Sequence, residues 1–173
     1  EDIPADDALT AHGAQLALSK TSEVVLDGMF GISGEIPRVT PFERGFPAHY
    51  RRTVDGKDWE PDPLIMDERF LAVNVAGKGL IVFSGCSHAG IINVLQCARS
   101  EAPDTPIFGL IGGLHLAGPN EALIEQTVDA MRQFRLAVIA VGHCTGWRAV
   151  NALMTAFGDG VISPCAVGKR YAF

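Results

Sequence analysis

Three apolar runs, GLIVF (79–83), PIFGLIGG (106–113) and LAVIAVGH (136–143), each lead into a stretch with helical spacing. The helical stretches are IINVLQCARS, PNEALIEQTVDAMRQF (with Pro119 in its first turn) and GWRAVNALMTAF. Strands that alternate with helices imply crossover connections, and so an α/β domain whose helices pack on a sheet. GLIVF is apolar throughout, as expected of a strand covered on both faces. Just upstream, RFLAVNV and GLIVF flank AGKG, which predicts a hairpin.

The rest of the chain is less regular. Asp6 and Asp7 begin an apolar periodic stretch that predicts a helix to about Leu18, EVVLDG (23–28) predicts a short strand, and CAVGKRYAF predicts a last one. From Met29 to Pro63, glycines, prolines and charges leave no sustained period, so 29–63 is expected to be a loop-rich lid or insertion. Its setting is a single domain, whole or partial, over 1–173. The first residue is Glu1 and the opening helix joins nothing before it, which suggests a processed chain or an excised piece.

Composition narrows the function classes. A net charge of -6 with scattered Lys and Arg excludes an electrostatic footprint for nucleic acid or an anionic membrane surface. No apolar run reaches the roughly 20 residues of a spanning helix, and no signal-peptide pattern opens the chain; a cytoplasmic protein with a small-molecule substrate is the expectation. The four cysteines form no C-x-x-C pair and are expected to be reduced.

The chemistry should lie where the strands end. IVFSGCSH, FGLIGGLH and VIAVGHCTG each close in glycine and a ligand-type side chain, and loops beyond the carboxyl ends of such strands open on one edge. Cys86, His88, His115, His143 and Cys144 can therefore converge. Imidazole and thiolate suit zinc and other first-row transition metals, and the adjacent glycines allow tight turns. The competing reading is a packed His115 and space-filling Cys86 and Cys144. Cys86 could instead be a nucleophile with His143 as base, or Gly85 to Gly90 a phosphate cradle at a helix start. Arg38, Lys169 and Arg170 are candidates for holding an anionic substrate. Asp62, Asp67 and Glu68 could reach a metal or take a proton, but acidic residues ahead of a strand are mostly expected to face solvent.

GEIPR, GKGLIVFSGCSHAGIINVL, IGGLHLAG, GHCTGWRA and VGKRYAF, taken in order, resemble the C-terminal part of a metallo-β-lactamase-fold hydrolase. They are most similar to the branch that includes the 7,8-dihydropterin-6-methyl-4-(β-D-ribofuranosyl)aminobenzene 5′-phosphate synthases. The resemblance runs from about Gly34 to Phe173. It implies an α/β fold, a metallo-β-lactamase-like αβ/βα sandwich, here as its C-terminal half plus a loop-rich segment. It also implies a divalent transition metal, zinc first and manganese or iron as alternatives, with His143, His88, Cys86 and His115 as ligands in that order.

The implied activity is hydrolysis or transfer on a small ester or phosphate-bearing substrate through a metal-activated water. Such enzymes carry H-x-H-x-D-H in their N-terminal half, and this sequence has no such string, so no catalytic residue is assigned. Half a sandwich exposes an apolar face, which implies a homo-oligomer or a missing N-terminal half as partner, and leaves a non-catalytic half-domain as the alternative to an enzyme.

Overall fold

The computed structural model describes residues 5–173. Its centre is a seven-stranded sheet in the order β1-β2-β5-β6-β7-β8-β9. The strands are β1 (Glu23–Val25), β2 (Phe30–Ile32), β5 (Phe70–Val75), β6 (Gly79–Ser84), β7 (Ile107–Gly112), β8 (Val138–Val141) and β9 (Ile162–Pro164). β1, β2, β5 and β6 pair antiparallel, and β6 to β9 run parallel. A second sheet is the hairpin of β3 (Tyr50–Arg52) and β4 (Trp59–Pro61).

The parallel strands are joined by α2 (Ile91–Glu101), α3 (Ile124–Met131) and α4 (Trp147–Phe157). Because the strand order never reverses from β6 to β9, right-handed crossovers put all three helices on one face. There Ile91, Leu95, Met131 and Leu153 bury against Phe70, Val82, Leu110 and Ile139 in one core. On the other face, register aligns Leu71, Phe83, Ile111 and Ala140 in a row across four strands. Leu71, Phe83 and Ile111 are only half-buried and stand outside that core.

Several sequence expectations need correction. The first helix, α1 (Asp6–Ala11), stops well short of Leu18. Gly13, at φ 86°, ends it, with the Ala14 N–H donating to the Leu9 carbonyl. No residue of α1 is buried, so no packing sustains a longer helix. The stretch after Gly118 is a 3-10 turn (Gly118–Leu123) before α3, followed by another (Arg132–Phe134). The last strand is Ile162–Pro164 rather than CAVGKRYAF; residues 165–173 turn back so that Tyr171 Oη donates to the Pro164 carbonyl at 2.6 Å.

The segment 29–63 is more ordered than its composition suggests. It contains β2 and the β3–β4 hairpin, whose three-residue strands are too short to show a period. Glu43, 7% exposed, accepts the N–H groups of Ile92 and Asn93 at 2.8 Å each, so it satisfies the open start of α2 from outside the helix. Asn93 returns the contact, its Oδ1 accepting from the Val39 and Thr40 N–H at 2.9 Å. Burial nevertheless pushes the Glu43 carboxyl above its ordinary pKa, against these hydrogen bonds.

Candidate metal centre

The three loops after β6, β7 and β8 meet at one edge and are bolted together by buried hydroxyls. Ser87 Oγ, 2.8 Å from Ser84 Oγ, donates to the Gly113 carbonyl at 2.7 Å. Thr145 Oγ1 accepts the Leu114 N–H at 3.1 Å and donates to the Gly142 carbonyl at 2.7 Å. Each loop also holds one non-glycine residue in the left-handed region: Ser87 (φ 59°), His115 (φ 48°) and His143 (φ 52°). That conformation costs a non-glycine residue about 1–3 kcal/mol, and such strain clusters where side chains must be aimed. Gly113 packs so closely that a Cβ there would lie 2.7 Å from Cys144 Sγ and 2.8 Å from the Gly85 carbonyl oxygen.

Cys86, His143 and Cys144 come together at this edge, their donor atoms all within 4.8 Å of one another. Cys86 Sγ is 3.5 Å from His143 Nδ1. Cys144 Sγ accepts the His115 N–H at 3.3 Å and faces the Cys86 carbonyl at 3.5 Å. Zinc holds thiolate at about 2.3 Å and imidazole at about 2.0–2.1 Å, so donors on one ion stand less than about 4.6 Å apart. The 3.5 Å between Cys86 Sγ and His143 Nδ1 falls inside that limit and the whole cluster, within 4.8 Å, is close to it; its soft sulfur and imidazole donors suit a divalent transition metal. Burial, and then the neighbouring Cys144, pushes the Cys86 thiol up to about 11.

His88 and His115 form a second group beside the first. Their ring centroids are 4.5 Å apart, and Phe46 stacks on His88 at 5.7 Å and meets His115 edge-on at 4.9 Å. Neither belongs to the three-donor cluster. His115 Nδ1 is buried without a hydrogen-bond partner, and burial, with the nearby His88, pushes its pKa down. Glu68 is the residue that sequence reasoning misplaced: it is turned inward, not to solvent. Its carboxylate accepts the N–H groups of His88 and Ala89 at 2.7 and 2.6 Å and lies 3.4 Å from His88 Nδ1. Asp67 is exposed as expected, whereas Asp62 faces His49, its Oδ2 3.5 Å from Nδ1.

Lys169 and Arg170 do not gather at this edge, whereas Arg38 lies within charge range of Glu68. Arg38 donates to the carbonyls of Ile36, Leu64 and Ile65, clasping two loops with its guanidinium, and burial lowers its pKa. Arg170 lies beside Val138, at the end of β8 opposite His143. Lys169 is exposed, its ammonium 5.6 Å over the Tyr171 ring. Among the described residues no helix is long and apolar enough to cross a membrane.

A helix-backed sheet with a Cys and His cluster at the strand ends has the fold of the metallo-β-lactamase superfamily. The crystal structure of Tm1679, described as a metal-dependent hydrolase of the β-lactamase superfamily, superposes with a TM-score of 0.76 at 25% identity, over 92% of this chain and 58% of that one. In sequence the chain is 37% identical over 95 residues to the 7,8-dihydropterin-6-methyl-4-(β-D-ribofuranosyl)-aminobenzene-5′-phosphate synthase of Methanocaldococcus jannaschii, covering 55% of this chain and 32% of the relative. It is 30% identical over 122 residues to an uncharacterized protein of the same organism, covering 70% of this chain and 42% of that protein. The chain thus spans well under half the length of either curated relative. No family model matches it.

Proposed function

We propose that this chain carries part of the active site of a metal-dependent hydrolase or transferase acting on a small ester or phosphate-bearing substrate. The observation that supports this most is the meeting of Cys86, His143 and Cys144 within 4.8 Å at the strand-end edge of this fold. These three would hold the ion. Bound by them, a divalent transition metal, zinc first and manganese or iron as alternatives, would supply the Lewis acidity for activating water near neutral pH and polarising a substrate oxygen. The Glu68 carboxylate fixes the loop that carries Cys86 and His88, and presents the His88 ring toward the groove beside it.

His88 and His115 fit as groups that shape the substrate side of the site, since His88 stacks on Phe46, His115 meets it edge-on, and neither belongs to the three-donor cluster. The phosphate-bearing substrate class is supported by likeness to a synthase whose named compound is a phosphate. A metal-free Cys86 nucleophile gains little support, because a thiol pushed up to about 11 is almost entirely protonated near pH 7. A coordinating thiol, by contrast, is deprotonated outright.

The deciding experiment is metal content by elemental mass spectrometry on protein purified without chelator, beside Cys86→Ser and His143→Ala. The expected result is about one transition-metal ion per chain, reduced severalfold in either variant. Metal far below that level, and unaffected by both substitutions, would reject the reading. The half-buried row of Leu71, Phe83 and Ile111 supports a second one: a half-domain completed by another copy or by an N-terminal half, which would bring the H-x-H-x-D-H string that this sequence lacks.

A further inference from the structure

We infer that the β3–β4 hairpin is a recognition arm for a planar aromatic anion, which it holds by Tyr50, Trp59 and Arg52 in the groove that leads to His88. This deepens the proposed function, and depends on it only for which end of the ligand faces the Cys86 loop.

Register sets the geometry. Arg52 stands opposite Trp59 and Tyr50 opposite Pro61, so these four share one face of the hairpin, while Arg51 and Glu60 share the other and pair at 2.8 Å. The base of the hairpin is fixed, because the Asp62 N–H donates to the His49 carbonyl at 2.9 Å and the Phe46 N–H to the Pro63 carbonyl at 2.7 Å. Beside the arm lies a groove of about 960 Å³ whose lining includes Phe46 and His88 as well as Asp62 and Asp67. Such a volume suits a small molecule.

The arm's chemistry narrows the class. Tyr50 and Trp59 are 54% and 58% exposed, two large side chains on the same face of the hairpin. The Arg52 guanidinium lies 5.0 Å over the Trp59 ring and donates from Nη1 to the Gly56 carbonyl at 3.3 Å; among the described residues it makes no ion pair, whereas Arg51 and His49 each face a carboxylate. A guanidinium without an ion-pair partner and two half-exposed aromatic side chains together fit a ring that stacks and an anionic group that the guanidinium receives. The far end of such a ligand points along the groove toward His88, two residues from Cys86.

The test is calorimetric titration of the chelator-treated chain with 4-nitrophenylphosphonate, which carries no ester bond to break, and with cyclohexylphosphonate as the non-aromatic control. The aromatic probe should bind at least severalfold more tightly than the control. Trp59→Ala should weaken it by about three- to tenfold and Arg52→Ala by about tenfold, with Arg52→Lys recovering part of the loss. In a Trp147→Phe background the probe should also quench the remaining Trp59 emission.

Equal binding of the two phosphonates, or a dissociation constant unmoved by both alanine variants, would overturn the recognition arm. Binding that appears only after metal is restored, and is then unaffected by Trp59→Ala, would also overturn it while leaving the metal reading intact. Binding that is sensitive to Trp59 in a chain found to hold no metal would uphold the arm and reject the metal reading instead.

Discussion

Glu68 and His88 are joined twice: the Glu68 carboxylate accepts the backbone N–H of His88 at 2.7 Å and lies 3.4 Å from its ring nitrogen Nδ1. With the Ala89 N–H bound at 2.6 Å as well, one acidic side chain just before β5 organises the loop after β6. Glu68→Ala strips acceptors from two amides that have little access to water, each worth about 1–3 kcal/mol when left unsatisfied. Urea denaturation should show a loss of about 2–4 kcal/mol, with Glu68→Gln losing less because it keeps one oxygen. Stability unchanged by Glu68→Ala would show that the loop stands without it.

The thiols make the second expectation. Cys86 is pushed up to about 11 by burial and by Cys144, and Cys97 to about 11 by burial and by Glu101. In chelator-treated protein, Cys86 should therefore resist iodoacetamide at pH 7.5, with a rate that climbs about tenfold per pH unit toward pH 10. Peptide mapping separates it from the exposed Cys165. A rapid reaction at neutral pH would instead favour a nucleophilic Cys86.

Stability follows the same sign for Cys97. A raised folded pKa means that the unfolded chain gives up the proton first, so the thiol's contribution is complete below its ordinary value of 9.0 and is lost as pH rises toward about 11. A denaturation series from pH 8 to 11 should fall more steeply for the native chain than for Cys97→Ala. Parallel slopes would contradict the shift.

How much of this was legible before the structure depended on sequence distance and on contact type. The parallel strands and their helices could be read because GLIVF and its counterparts are long apolar runs beside helical spacing. The meeting of Cys86 with His143, 57 positions apart, was legible only through the rule that strand-end loops share an edge. Glu43 on α2, Glu68 on the His88 loop and Arg38 on three carbonyls were not legible. Each is a side chain bonded to the backbone of a distant segment, and no period or motif encodes such a pairing. Three-residue strands such as β2, β3 and β4 fail for a different reason, since two alternations do not distinguish a strand from a loop.

Gly113 offers a test of the centre that removes no donor. A Cβ at this position would lie 2.7 Å from Cys144 Sγ and 2.8 Å from the Gly85 carbonyl oxygen, so Gly113→Ala must push the thiol or the loop aside. Overpacking of this kind costs about 1–3 kcal/mol. The variant should fold, with a lower melting temperature, and bind zinc severalfold more weakly in a chelator competition. Zinc affinity equal to that of the native chain would take Cys144 out of the donor set.

The last expectation concerns the face without helices. Leu71, Phe83 and Ile111 line up through the pairings Leu71↔Phe83 and Phe83↔Ile111, and all three are half-buried, while Leu110 on the opposite face is fully buried. If a second copy covers this row, polar substitution acts on association rather than on the core. Phe83→Ser with Ile111→Ser should shift the mass in sedimentation equilibrium toward the single chain, and it should destabilise the fold less than Leu110→Ala, for which a core truncation predicts about 2–5 kcal/mol. A chain that sediments as a single copy before substitution would rule out the homo-oligomer and leave an N-terminal half as the partner of this face. An assembly that survives both substitutions would place the contact between copies elsewhere on the molecule.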